Sequence, residues 1–180
     1  LACPGRLLWL DPKPAFQRRS TRVKKAVIFD LDGTLIDSLG DIHAALNDIL
    51  QLRNAPPLAL ATVRGLIGKG SANLVRRALT AQNLPIDEAS CASALADFLR
   101  LYSADSAKLT TIFDGAIDAI DRLQDGGFCL GICTNKPLAP TKIVLDQFGL
   151  TRFFDTIVGG DQLASRKPDP AMLFHAMACL

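Results

Sequence analysis

Asp30 and Asp32 stand two residues apart, at the end of a short apolar run that occupies residues 24–30 (KKAVIFD). In extended backbone such a pair faces the same way, so both carboxylates can project into one crevice. Gly33 then allows the chain to turn sharply behind them. One carboxylate of such a pair can act as a nucleophile, splitting a hard displacement into two easier ones. Its neighbour can donate a proton and later take one back. The plainer alternative is a polar loop whose acids only bond nearby amides in an Asx-type turn. The whole string at 30–38 (DLDGTLIDS), set behind an apolar strand, favours chemistry. Thr134, closing a second apolar run at 128–133, and Lys167, in Lys167-Pro168-Asp169-Pro170, are the next candidates. A threonine at a strand end is commonly an ordinary cap, and a lysine beside a rigid turn is commonly solvated.

The run at 24–30 reads as a buried parallel strand with functional groups just past its carboxyl end. At Ser38 the period changes. Ser38 and Asp41 make a capping-box-like start, and Leu39, Ile42, Leu46 and Ile49 recur at helical spacing. Residues 54–57 break that helix, and a glycine-rich turn at 65–70 leads to a second with Leu74, Val75, Ala78 and Leu79 on one face. Pro85 precedes a third, whose apolar positions are Cys91, Ala94, Leu95, Phe98, Leu99 and Tyr102. Residues 38–108 thus form a helical block without strand signals. Beyond it the spacing predicts a helix at 115–124 stopped by Gly126-Gly127, a strand at 128–133 and a helix ending at Phe148-Gly149. A short strand at 156–158 and a last helix opened by Pro170 follow. The expected fold class is α/β: a doubly wound, Rossmann-like parallel-sheet core (23–37 and 109–180) with an inserted helical cap (38–108). The helical pattern is still running at Leu180, so the core is expected to be incomplete at the C-terminus. Residues 1–22 show no sustained periodicity and read as a disordered or non-native extension.

Composition narrows the classes. With 49% hydrophobic and 21% charged residues, the 180-residue chain can build a real core. A net charge of +2 is too mild to argue for nucleic acid and suits a small acidic molecule better. Five cysteines (Cys3, Cys91, Cys129, Cys133 and Cys179) form no CxxC pair, and their odd number favours a reducing cytoplasm. No apolar run is long enough to span a membrane.

The string DxDGTLxDS resembles the first motif of the haloacid dehalogenase (HAD) superfamily of phosphatases, matched at Asp30, Leu31, Asp32, Gly33 and Thr34. The resemblance covers residues 24–180. It implies that Asp30 attacks phosphorus to form an aspartyl-phosphate, and that Asp32 protonates the leaving oxygen and then activates water. It also implies that Thr134 bonds the phosphoryl group, that Lys167 pairs with nucleophile and phosphate, and that Gly33, Thr34, Asn135 and Lys136 contact substrate. Magnesium is the implied cofactor, held by Asp30 and the carbonyl of Asp32 together with a fourth, acidic motif. That motif is expected beyond Leu180. Gly160-Asp161 looks like it but precedes Lys167, so Asp161 and Arg166 read as surface residues. Neither histidine, His43 or His175, is given a role.

Dehalogenases of this superfamily lack the second aspartate, so Asp32 argues for phosphate esters and a small phosphorylated metabolite as partner. The string at 30–38, the small helical cap and Ile67-Gly68-Lys69-Gly70 resemble the phosphoglycolate phosphatases in particular. On that resemblance Arg64 and Lys69 would lie near the substrate carboxylate. The alternatives are a broader sugar-phosphate or nucleotide phosphatase, or a fragment serving only as a binding domain. A core lacking further strands would leave 26–30 as an exposed edge and bind magnesium weakly.

Overall fold

The structure, a computed structural model, describes residues 25–104 and 107–180, so the extension read from residues 1–22 lies outside the described residues. Strand β1 (Ala26–Phe29) is followed by a two-residue strand β2 (Ile36–Asp37) and four helices, α1 (Leu39–Gln51), α2 (Leu60–Arg64), α3 (Ser71–Ala81) and α4 (Glu88–Ala104). The chain returns through β3 (Thr111–Ile112) and continues as α5 (Ala116–Asp125), β4 (Cys129–Cys133) and α6 (Leu138–Gln147). A 3-10 turn at Thr151–Phe153, β5 (Thr156–Val158) and α7 (Ala171–Cys179) complete it.

The sheet has the order β1-β4-β5, parallel throughout, with Ala26 opposite Cys129 and Gly131 opposite Thr156. Alternation along the strands divides its two faces. Val27, Phe29, Leu130, Ile132 and Ile157 pack with Ile120 of α5 and Val144 and Leu145 of α6. Ile28, Cys133 and Val158 turn the other way, onto Met172 and Ala176 of α7. Helices cover both faces of a parallel sheet, which is the expected α/β class. Within the described residues β1 stands at the sheet's edge.

Helices α1–α4 bury a separate cluster that includes Leu46, Ile49, Leu50, Val63, Ala78, Leu79 and Phe98. None of their helices is long and apolar enough to cross a membrane, nor is any other among the described residues. Two linkers join this block to the sheet, and they pair as the antiparallel strands β2 and β3, with Ile36 opposite Ile112 and Asp37 opposite Thr111. Two-residue strands are too short to show a period of two, so the sequence gives no sign of them. The five-residue α2 escapes for the same reason.

The start of α1 differs from the expected capping box. Ser38 makes no side-chain cap; the Asp37 carboxylate instead accepts the Leu39 amide at 3.1 Å. Asp41, buried in the first turn, accepts from the Leu109 amide at 2.9 Å and from the Thr110 amide and hydroxyl at 2.8 and 2.6 Å. The carboxylate that would serve the local helix start ties the outgoing linker to the returning one. Asp41→Ala leaves those donors without an acceptor and should lower stability by about 2–4 kcal/mol, read as a shift in the urea unfolding midpoint.

Candidate active site

Asp30 is the first residue past β1, and its turn is built from the backbone. The Leu31 amide donates to Asp30 Oδ1 at 2.8 Å, Gly33 takes φ of +80°, and its amide donates to the Ile36 carbonyl at 2.8 Å. Leu31, fully buried, anchors the turn while its two acidic neighbours face outward. The second oxygen of Asp30, Oδ2, pairs with Lys167 Nζ at 2.9 Å. Asp32 is held on one side only: its Oδ1 accepts the Ser38 hydroxyl at 2.6 Å and the Lys136 ammonium at 3.0 Å. Its Oδ2 takes no hydrogen bond from the described residues.

Thr134, Asn135 and Lys136 follow β4, the neighbour of β1, so parallel pairing brings the two strand ends side by side. Asn135 is the joint of the site. Its Oδ1 accepts the Lys167 amide at 2.9 Å, and its Nδ2 donates to the carbonyls of Lys167 and Gly68, each at 3.1 Å. Lys167 also donates to the Cys133 carbonyl at 2.8 Å, which aims its ammonium at Asp30. The Lys167-Pro168 peptide is cis. Gly159 and Gly160 pass against this loop so closely that a side chain on Gly159 would meet the Leu138 backbone at 2.5 Å, and one on Gly160 would collide with the Asn135 carbonyl.

Between the strand ends and the helical block lies a cavity of about 70 Å³. Asp30, Asp32, Thr134, Asn135 and Lys136 form its floor, and Ile42, Ile67, Leu74, Phe98 and Tyr102 roof it. Across it the Lys136 ammonium, 5% exposed, donates to both Asp32 and the Tyr102 hydroxyl. Burial opposes the Lys136 charge, but the Asp32 carboxylate and the Tyr102 oxygen more than offset it, and the pKa is raised. Burial likewise raises the Tyr102 phenol, keeping it protonated. The Cys133 thiol is raised by the same cause.

The structure thus gathers Asp30, Asp32, Thr134, Asn135, Lys136 and Lys167. Gly33 shapes the turn without lining the cavity, and Thr34 is exposed beside it. Arg64 and Lys69 are not brought to the cavity. Both are exposed, and the part of their loop that reaches it is Ile67, Gly68 and Gly70. The reason is that Asn135 captures the Gly68 carbonyl, drawing in the backbone and leaving the neighbouring long side chains outside. Asp161 accepts the Leu138 amide at the start of α6, and Arg166 donates to the Gly160 carbonyl. His43 bonds the Leu58 carbonyl within the helical block. Two participants were missed by the sequence reading, Ser38 and Tyr102. Ser38 lies in the string at 30–38 but reads as a helix cap. The signal for Tyr102 is faint: a hydroxyl on an otherwise apolar helix face.

Asp30 and Asp32 offer hard oxygen donors of the kind magnesium prefers. Among the described residues no cluster of three or more acidic, histidine or cysteine side chains could hold a metal ion. These two residues therefore fit magnesium as a partial ligand set, the form in which that ion takes one or two carboxylates, several waters and substrate phosphate.

The chain is similar to proteins of one family. The family model of haloacid dehalogenase-like hydrolases matches residues 27–180. A phosphoglycolate phosphatase of Cereibacter sphaeroides is 44% identical over 154 residues, covering 86% of this chain and 71% of that protein. Phosphoglycolate phosphatase 1 of Pseudomonas aeruginosa is 41% identical over 160 residues, covering 88% and 58%. The crystal structure of a predicted phosphoglycolate phosphatase from Haemophilus somnus superimposes with a TM-score of 0.77 at 27% identity, covering 86% and 71%. The chain belongs to the haloacid dehalogenase-like hydrolase family, in its phosphatase branch.

The close glycine contact gives a test of the loop's importance. Gly160→Ala should push the Asn135 loop off its seat and lower turnover by about a hundredfold, as expected when reacting groups move by roughly 1 Å. Steady-state kinetics beside a far-UV circular dichroism spectrum, expected to stay native-like, would check it.

Proposed function

We propose that the chain hydrolyses small phosphate monoesters, 2-phosphoglycolate foremost, through an aspartyl-phosphate on Asp30. The observation that carries this is the pairing of Asp30 with Lys167 beside an Asp32 whose Oδ2 is uncommitted. In the first step a carboxylate oxygen of Asp30 forms a bond to phosphorus, and the bond from phosphorus to the ester oxygen breaks. The electron pair stays on that oxygen, which takes a proton from Asp32, whose Oδ2 receives that proton as the ester binds in its monoanionic form. In the second step Asp32 removes a proton from water as the water oxygen bonds to phosphorus. The bond to Asp30 breaks, and phosphate and the free carboxylate result. Lys167 allows two negative groups, carboxylate and phosphate, to approach. The Thr134 hydroxyl lines the cavity where it can donate to a phosphoryl oxygen.

Charge favours a divalent cation. Asp30 and Asp32 are balanced by Lys136 and Lys167, so an arriving phosphate ester brings charge that nothing in this set neutralises. Magnesium, held in part by the Asp30 carboxylate and the Asp32 carbonyl, would supply it. The described cysteines are free, in keeping with a cytoplasmic setting. The α1–α4 block serves as the cap that excludes water and selects the substrate, and the sheet does the chemistry.

Asp30→Asn keeps size and shape but loses the nucleophile. It should abolish turnover while leaving inorganic phosphate binding within about tenfold; residual kcat within about tenfold of wild type would remove Asp30 from that role. Asp32→Asn should slow alkyl phosphates by about 10²–10⁴-fold and aryl phosphates with acidic leaving groups much less. Equal losses across a leaving-group series would show that Asp32 is not the acid.

A further inference from the structure

The donors around Lys136 do not balance. Its ammonium carries three protons, and the described acceptors are two, Asp32 Oδ1 and the Tyr102 oxygen. The Tyr102 hydroxyl accepts from Lys136, and its own proton has no acceptor among the described residues. Both groups are almost wholly buried, Tyr102 at 3% exposure and Lys136 at 7%, and both line the cavity. A buried donor without an acceptor is rare in folded proteins and calls for a partner. The surrounding wall, from Ile42, Leu74, Phe98, Leu99 and Pro140, is apolar, and Ser71, which also lines the cavity, takes no hydrogen bond from Tyr102. The phenol is held in place, stacked on Phe98 at 5.5 Å between centroids and 8° between planes, with Lys136 4.5 Å from its ring centroid. Its raised pKa keeps the proton on oxygen, available to donate.

We infer that Tyr102 and Lys136 form the subsite for a second acidic group of the substrate, a carboxylate close to the phosphate ester. This rests on the function proposed above and assigns its specificity. Two convergent donors, one of them charged, on an apolar wall suit an anion of two oxygens. The layout also suits a short ester. Asp30 and Thr134 mark the phosphoryl end, Asp32 the bridging oxygen, and Lys136 with Tyr102 lies on the far side of Asp32, toward the helical block. Phosphoryl group, ester oxygen, one methylene and carboxylate follow one another in the same order. Arg64 and Lys69, outside the cavity, are not needed for this recognition.

The test compares 2-phosphoglycolate with ethyl phosphate, which lacks the carboxylate, in wild type and in Tyr102→Phe. The variant keeps the ring, its stacking and the ring's face toward Lys136, and removes the hydroxyl together with the hydrogen bond it accepts from Lys136. The fall in kcat/KM should be about 10- to 150-fold larger for 2-phosphoglycolate, the value of a hydrogen bond to a charged group, than for ethyl phosphate. Equal falls for both esters would make Tyr102 a structural residue only and overturn the inference. A wild type without preference for 2-phosphoglycolate would overturn the proposed substrate and the subsite together, a distinguishable result. A second arm needs no variant and no turnover. Tyr102 is the single tyrosine of the chain, so protein labelled with carbon-13 at the tyrosine ζ position gives one resonance. Titration with glycolate should shift it saturably, whereas ethanol should not. A resonance indifferent to glycolate in protein that still hydrolyses phosphate esters would sink the subsite and leave the hydrolysis standing.

Discussion

The ammonium of Lys136 is buried between a carboxylate on the sheet side and a phenol on the helical side. A charge in such a place is tolerated only with close partners, and removing one member of a buried pair typically costs about 3–5 kcal/mol. The arrangement therefore fixes more than a lysine. It sets which oxygen of Asp32 is engaged, where α4 stands over the sheet, and which wall of the cavity carries donors. Ser38 adds a second bond to the same Asp32 oxygen from the first residue of the helical block. Ser38, at the start of the helical block, and Lys136, behind β4, thus converge on one atom of Asp32, and its other oxygen takes no hydrogen bond from the described residues.

Around this polar junction the supports are mainly backbone. Parallel pairing of β1 with β4 sets Asp30 beside the Thr134 loop, and Asn135 then fastens Lys167 and Gly68 through three hydrogen bonds. Gly159 and Gly160 let β5 deliver the chain against that loop, where any side chain would strike backbone. Glycine is needed there for space, since neither residue has a positive φ. The same fastening explains why the glycine-rich loop of the helical block contributes backbone to the cavity while Arg64 and Lys69 face solvent.

Much of this was legible beforehand, for reasons that differ by residue. Asp30 and Thr134 each follow an apolar strand, and Lys167 stands directly before a proline-bearing turn, so each sits beside a local signature. Helices α1, α3 and α4 show because each buries an apolar stripe long enough to display its period. Asp41 and Ser38 were legible as a helix start but were assigned the wrong partners. Their side chains bond Thr110 and Asp32, 69 and 6 residues away. Local propensity ranks the nearest backbone group first; a folded chain offers better partners from further off.

The sequence by itself determined the order of the longer elements, the α/β class and the place of Asp30 and Asp32 at a strand end, because strand periodicity and turn chemistry are properties of neighbouring residues. Only the tertiary structure decided the pairing of Lys136 with Asp32 across 104 positions and with Tyr102 across 34. It alone decided that Asn135 serves as a joint rather than a free ligand, and that Tyr102, on an apolar stripe, presents a hydroxyl to the cavity. The physical reason is that burial converts a polar atom's need for a partner into a long-range constraint. Which partner satisfies it depends on how the sheet and the helical block pack, and no stretch of neighbouring residues encodes that.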